Sequence, residues 1–363
     1  MKPLNAPVGF FGLITSCARS RALLKTLAGS FRPACARRLL SLLLVFALPA
    51  VVQAQFTFTT NNGAITITQY TGPGGAVVIP GMTNGYPVTA VGGAAFYDNT
   101  SVTSVIIPSS VTSIGGWAFY NCLFLISANM PNSITNIGDW AFLGCYRLLD
   151  FTMPSSVTSI GLRAFEACYS LTSLTIPDGV SSVGPETFDL CISLTNVTIG
   201  NGVSSIGYLA FNSCSSLTNV SIPKSVTNIA DYAFSRCGSL SGVYFQGDSP
   251  SLGGPNVFSE TYGATIYYLP GTTNWFTPFG GLRAVLWNPS IQTTNANFGV
   301  QTNQFGFTII GTTNIPIAVV ACTNPANPAW LTLQTCTLTN GSIYFSDPQW
   351  TNYPARFYRI RSL

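Results

Sequence analysis

The stretch from Leu171 to Cys191 reads LTSLTIPDGVSSVGPETFDLC, and the spacing of its apolar residues decides the fold. Leu171, Leu174 and Ile176 end in period-two alternation, so a short strand points them inward while Ser173 and Thr175 face out. Pro177 stops the strand, because proline has no N–H to donate to a neighbour. Val180, Val183, Phe188 and Cys191 follow at irregular spacing, which suits a turn and a short helical or extended return. A single coil of this kind cannot cover both sides of its apolar layer and must stack on copies of itself.

The copies are present. Phe96, Phe119, Phe142, Phe165, Phe188, Phe211 and Phe234 stand 23 residues apart, and Phe258 follows after 24. Cys122, Cys145, Cys168, Cys191, Cys214 and Cys237 keep the same step, each three residues after its phenylalanine. Prolines recur in phase at Pro108, Pro131, Pro154, Pro177 and Pro223, with Gly200 in the missing slot. Several registers locked to one period predict a solenoid of about eight 23-residue coils over residues 55–286. Its strands would pair in parallel, with the phenylalanines forming the opposite wall of the core.

The repeated text includes SVTSIGGWAF (Ser110 to Phe119), SVTSIGLRAF (Ser156 to Phe165) and SVTNIADYAF (Ser225 to Phe234). An entry segment, VVIPGMTNGYPVTAVGGAAF (Val77 to Phe96), precedes them. These units resemble the bacterial surface-antigen, or BspA-like, leucine-rich repeat. The resemblance implies a leucine-rich-repeat solenoid with a parallel β-sheet on one face and turns or short helical segments on the other. It also implies a role in adhesion and surface recognition. The common leucine-rich pattern places Asn at the ninth position of the strand motif, whereas here that slot holds Ser110, Ser133, Ser156, Gly179, Gly202 and Ser225. The turn must be satisfied by something other than a side-chain amide column.

The ends of the chain differ from the repeat. Arg37 and Arg38 precede an apolar run from Leu39 to Val52, and small residues such as Ala54 suit a peptidase, so residues 1–54 read as a signal peptide. The run is shorter than the 18 or so residues a spanning helix needs, and no later segment qualifies, so no membrane span is expected in the mature chain. After Leu286 the period is lost, and β-rich runs such as FGFTIIG (Phe305 to Gly311) and IPIAVVAC (Ile315 to Cys322) alternate with Asn/Pro/Gly turns. Residues 287–363 are therefore expected to form a small all-β sandwich-like module. Its segment SIYFSDPQWTNYPARFYRIRS (Ser342 to Ser362) resembles a C-terminal module of exported proteins from environmental bacteria. Cys322 and Cys336 flank a turn, and the spacing leaves a hairpin disulfide open.

Composition narrows the function classes. Only 7% of residues are charged, against about 25% in typical soluble proteins, so the surface must be wetted by hydroxyls and amides. Without residues 1–54 the chain carries eight cations and eleven acids, a formal −3, which gives no footprint for nucleic acid. There is no histidine, which removes the commonest general base. The acids of the central coils, Asp139, Asp150, Glu166, Asp178, Glu186 and Asp189, are spread over the repeat, Asp150 on the strand face and Asp139, Glu166, Glu186 and Asp189 on the return side, and read as solvated charges. No catalytic, cofactor or metal residue is assigned. In-register cysteines would hold their Cβ atoms about 4.8 Å apart, beyond the about 3.5–4.5 Å of a disulfide, so buried thiols are expected.

Binding is the function these residues favour. The outward strand positions Ser127, Asn129, Asp150, Thr152, Ser173, Thr175, Asn196, Thr198, Asn219 and Ser221 form a polar lattice, and Tyr244, Ile266 and Tyr268 turn its far end aromatic. Repeat solenoids commonly bind through such a face. An extracellular or surface protein is the expected partner of a secreted or cell-surface chain. A glycan is the second candidate, through rings of Tyr244, Tyr268, Trp350 and Tyr353 that would stack on sugars. Arg356, Arg359 and Arg361 against Asp347 give the tail a formal +2, suited to a wall polymer.

Overall fold

The computed structural model describes residues 55–361; the expected signal peptide lies outside the described residues. The repeat coils as a parallel β-solenoid. On one face the short strands Val102–Ile106, Ser127–Asn129 and Asp150–Phe151 pair in parallel, and so do Ser173–Thr175, Asn196–Thr198, Asn219–Ile222, Gly242–Phe245 and Thr265–Tyr268. Pairing is strictly in phase, with Ser173 beside Asn196 and Asn196 beside Asn219. The expected column of phenylalanines is present. Rings of Phe119, Phe142 and Phe165 lie parallel, 5.0 and 5.2 Å apart, and all three are buried.

The return segment proves extended, without a helix. Two-residue strands such as Ser113–Ile114, Asn136–Ile137, Ser182–Val183 and Ser205–Ile206 form a second parallel ladder. Between this ladder and the cysteine the chain turns through paired left-handed residues. Trp117, Trp140, Arg163, Glu186, Leu209 and Tyr232 occupy the first such slot and Asn121, Ala167, Leu190, Ser213 and Arg236 the second, with φ between 53° and 60°. Each costs about 1 kcal/mol for a residue with a Cβ. The conformation turns alternate amides along the solenoid axis, so that Trp117, Phe119 and Asn121 N–H groups donate to the Asp139, Ala141 and Leu143 carbonyls of the next coil. A buried amide left unpaired costs about 1–3 kcal/mol, which outweighs the backbone strain.

The six cysteines of the repeat column are unbridged and buried, as expected from their spacing. Each thiol donates to the carbonyl of a phenylalanine in the preceding coil, Cys122 to Phe96 and Cys145 to Phe119 at 3.1 Å, and Cys168 to Phe142 at 3.4 Å. The slot lacking asparagine is solved similarly: Ser133 and Ser156 hydroxyls donate to the Val111 and Ile134 carbonyls at 2.6 Å. At Gly202 a Cβ would lie 1.9 Å from the Asp178 carbonyl oxygen, so only glycine fits.

Both ladders are interrupted at one level. Asp150–Phe151 is not paired with Ser173–Thr175, nor Ser159–Ile160 with Ser182–Val183. Phe151 occupies the inward slot that holds Ala128, Leu174 and Val197 in nearby coils, and its ring wedges edge-on against Phe142 at 5.7 Å and Phe165 at 5.0 Å. The turn side holds this seam closed, through Phe165 N–H to Thr187 O at 2.9 Å and the Arg163–Glu186 ion pair at 2.6 Å.

Each end of the stack carries a cap. The antiparallel hairpin of Phe56–Asn61 with Ala64–Tyr70 closes the first coil, where Tyr70 stacks on Phe96 at 5.1 Å. Beyond Leu286 a small β module forms two antiparallel sheets. In one, Gln304–Ile310 pairs with Ser342–Asp347; in the other, Pro316–Cys322 lies between Leu331–Thr337 and Phe357–Arg361. The open question of a Cys322–Cys336 bridge is resolved against it. Cys336 stands opposite Ile317, five positions along the strand from Cys322, and both thiols are free.

Candidate binding face

The sequence places ten polar residues on the outward strand face, and the structure arranges eight of them in two hollows. Ser127, Asn129, Asp150 and Thr152 line one of about 420 Å³ together with Ser104 and Ile106. Asn196, Thr198, Asn219 and Ser221 line a second of about 660 Å³. Ser173 and Thr175 are exposed on the coil between them. The alternation that buries Leu174 and Val197 forces their neighbours outward, and parallel pairing then sets like residues side by side.

The aromatic end of the face departs from expectation. Tyr244 continues the outward column of Thr198 and Ser221, but the next residue in it is Tyr267, not Ile266 or Tyr268. Tyr244 and Tyr267 stack at 4.9 Å and are buried, sharing one apolar cluster with Phe307, Ile309, Ile317 and Val319 of the C-terminal module. Burial pushes both hydroxyls up from the usual tyrosine range. Tyr244 is therefore a seat for the module and not an exposed anchor. Ile266 is wholly buried, and Tyr268 lies on the other side of its strand, stacked on Trp275 at 5.1 Å.

Docking of the module brings a residue to the face that strand periodicity does not reveal. Arg361 lines the larger hollow together with Gln246. The tail arginines do not act as one basic patch. Arg356 is buried against Asp347 at 2.8 Å, Arg359 lies over the Trp330 ring at 4.1 Å, and Arg361 is exposed, donating to Thr332 Oγ1 at 3.1 Å. The charge count in the sequence included Arg361, but only long-range packing sets it against Asn196 and Asn219.

One group of three carboxylates converges among the described residues. Glu166, Glu186 and Asp189 offer oxygens within 4.8 Å of one another on the turn side. Arg163 reaches Glu186 at 2.6 Å and Glu166 at 3.5 Å, and the Asn212 amide donates to Asp189 at 2.8 Å. A guanidinium already supplies the positive charge that a cation would bring. Burial raises the Glu166 and Asp189 carboxyls above the usual range. No helix of the described residues is long and apolar enough to cross a membrane.

A family model for the BspA type leucine rich repeat region matches residues 82–193 and 158–275, in six copies. The chain belongs to this family. The BspA-type repeat spans the coils that carry most of the strand face and stops just before the C-terminal module. Solved structures similar to this BspA-type chain include a leucine rich cell surface protein from Faecalibacterium prausnitzii, 25% identical, with 60% of this chain and 88% of that chain covered and a TM-score of 0.44. A leucine-rich repeat protein from Bacteroides ovatus is 25% identical over 64% of this chain and 75% of its own, with a TM-score of 0.47. A leucine rich repeat protein from T. pallidum is 32% identical over 53% and 83%, with a TM-score of 0.40. No curated protein matches the chain.

Proposed function

We propose that this chain is an exported, non-catalytic binding protein of the cell surface or its surroundings, which presents the solenoid strand face to an extracellular protein. In this reading residues 1–54 are a leader, residues 55–286 the binding solenoid and residues 287–363 a module that caps it and serves as spacer or tether. The observation that carries the proposal is the strand face itself: hydroxyls and amides in phase over successive coils, hollowed in two places. Such a surface can form many hydrogen bonds with a partner while exposing little apolar area. Membership of a surface-antigen repeat family supports the export and adhesion assignments.

The glycan reading has less support, because three of the four rings it needs are occupied. Tyr244 is buried, one face of Tyr268 lies on Trp275, and the Arg356 guanidinium lies over Tyr353 at 4.3 Å. Of the exposed aromatics elsewhere, Trp117 stacks on Trp140 at 4.9 Å and Tyr97 on Tyr120 at 4.8 Å, which covers one face of each ring.

An array of extracellular proteins probed with the purified chain and with a Thr175→Arg/Thr198→Arg variant tests the proposal. Loss of the bound partners in the variant, at unchanged Tm, is expected. Equal binding by both chains, or a glycan array hit in place of any protein, rejects it.

A further inference from the structure

The larger hollow is built from two parts of the chain. Its floor is the in-register pair Asn196 and Asn219 with Thr198 and Ser221 beside them, and Gln246 and Arg361 complete it. Its volume of about 660 Å³ lies within the range of ligand sites, about 300–1,000 Å³. Among the described residues that line it there is no aspartate or glutamate, and Arg361 is the only charged one. Among the described residues Arg361 makes no ion pair, whereas Arg356 and Arg359 are held by a carboxylate and by an indole ring. One of its five N–H donors goes to Thr332, which leaves the rest of the planar fork available.

We infer that this hollow takes the carboxylate of an acidic, extended peptide segment, with Arg361 as its anchor. The inference rests on the strand-face reading above and names the chemistry of its partner. A guanidinium fork matches a carboxylate with two parallel hydrogen bonds. The floor of amides and hydroxyls both donates and accepts, as the N–H and C=O groups of an extended main chain require. An acidic sugar fits less well. The nearest outward rings, Tyr244 and Tyr267, are sealed beneath the module, so the hollow has no aromatic plate on which a pyranose would lie.

The test uses the purified full chain on an array of random-sequence peptides, with soluble polygalacturonate as a second probe. Three variants are compared, Arg361→Gln, Arg361→Lys and Asn219→Trp, each checked for an unchanged Tm. Wild-type chain should select peptides rich in Asp and Glu and hold them more weakly as salt rises. Arg361→Gln should lose that selection, with an affinity on the order of tenfold lower for the acidic peptides. Arg361→Lys should restore the preference in part, and Asn219→Trp should abolish binding by filling the hollow. Peptide binding that Asn219→Trp removes but that shows no acidic preference, or that Arg361→Gln leaves intact, overturns the anchor and keeps the strand-face reading. Binding that survives Asn219→Trp overturns this hollow as the site, and binding that also survives Thr175→Arg/Thr198→Arg overturns the strand-face reading. Capture of polygalacturonate through Arg361 without peptide binding overturns the peptide class.

Discussion

At the residue scale, the repeated phenylalanine carries the stack. Phe165 touches a ring above at 5.2 Å, a ring below at 5.5 Å and the edge of Phe151, with no exposure to water. Phe165→Ala removes all three contacts and leaves a cavity between the rings of the adjacent coils. Urea denaturation should show a loss of about 3–5 kcal/mol. The column thiols behave as small apolar groups that also donate one hydrogen bond. Burial pushes the Cys122 thiol up to about 12 and the Cys145 and Cys168 thiols well above the usual range, which suppresses the reactive thiolate. Of the described cysteines, only the partly exposed Cys336 should react with a thiol reagent in the folded protein, and the column only after denaturation. Rapid labelling of Cys145 in the native chain would contradict this. These columns were legible in the sequence, because a strict period places like residues together whatever the detailed path of the turn.

At the element scale, the period predicted the face strand, while the return segment held more order than its irregular spacing suggested. Its apolar residues feed a two-residue strand and a pair of left-handed turns, a path that repeats per coil and leaves no simple periodicity within it. The seam was not legible, since Phe151 is only one more hydrophobe until its ring is seen wedged between coils. Glu166 sits at this level with Arg163, Glu186 and Asp189. Its carboxyl is raised first by burial, then lowered by Arg163 and raised again by the neighbouring acids. A carboxyl raised in the folded state favours folding when protonated, and that benefit is lost as pH climbs through the raised value. Glu166→Gln, which mimics the protonated form, should melt higher than the parent at pH 7, by on the order of a degree. The gap should close as pH falls below the ordinary carboxylate range. A variant melting lower at pH 7 would show that the Arg163 contact dominates instead.

At the scale of the whole molecule, strand alternation identified the outward polar positions, but it could not show that the tail folds back onto the last coils. That packing is long-range, and it reverses the meaning of Tyr244, which alternation marks as outward and the module buries. Val285, Tyr244 and Tyr267 share one core with Phe307 and Ile309, so the solenoid does not end cleanly at Leu286. Truncation after Leu286 should uncover this cluster, and light scattering should detect association of a product that the full chain does not form. A monodisperse truncated chain with the parent Tm would refute the shared core. The two caps lie outside the 23-residue period, whereas most coils between them repeat one backbone path and one set of core columns. Unequal recombination within the gene can therefore insert or delete whole coils, each changing the face by about 4.8 Å, and leave both closures intact. A lineage can adjust its reach like a ruler with added divisions, while the arginine at the far mark keeps its place.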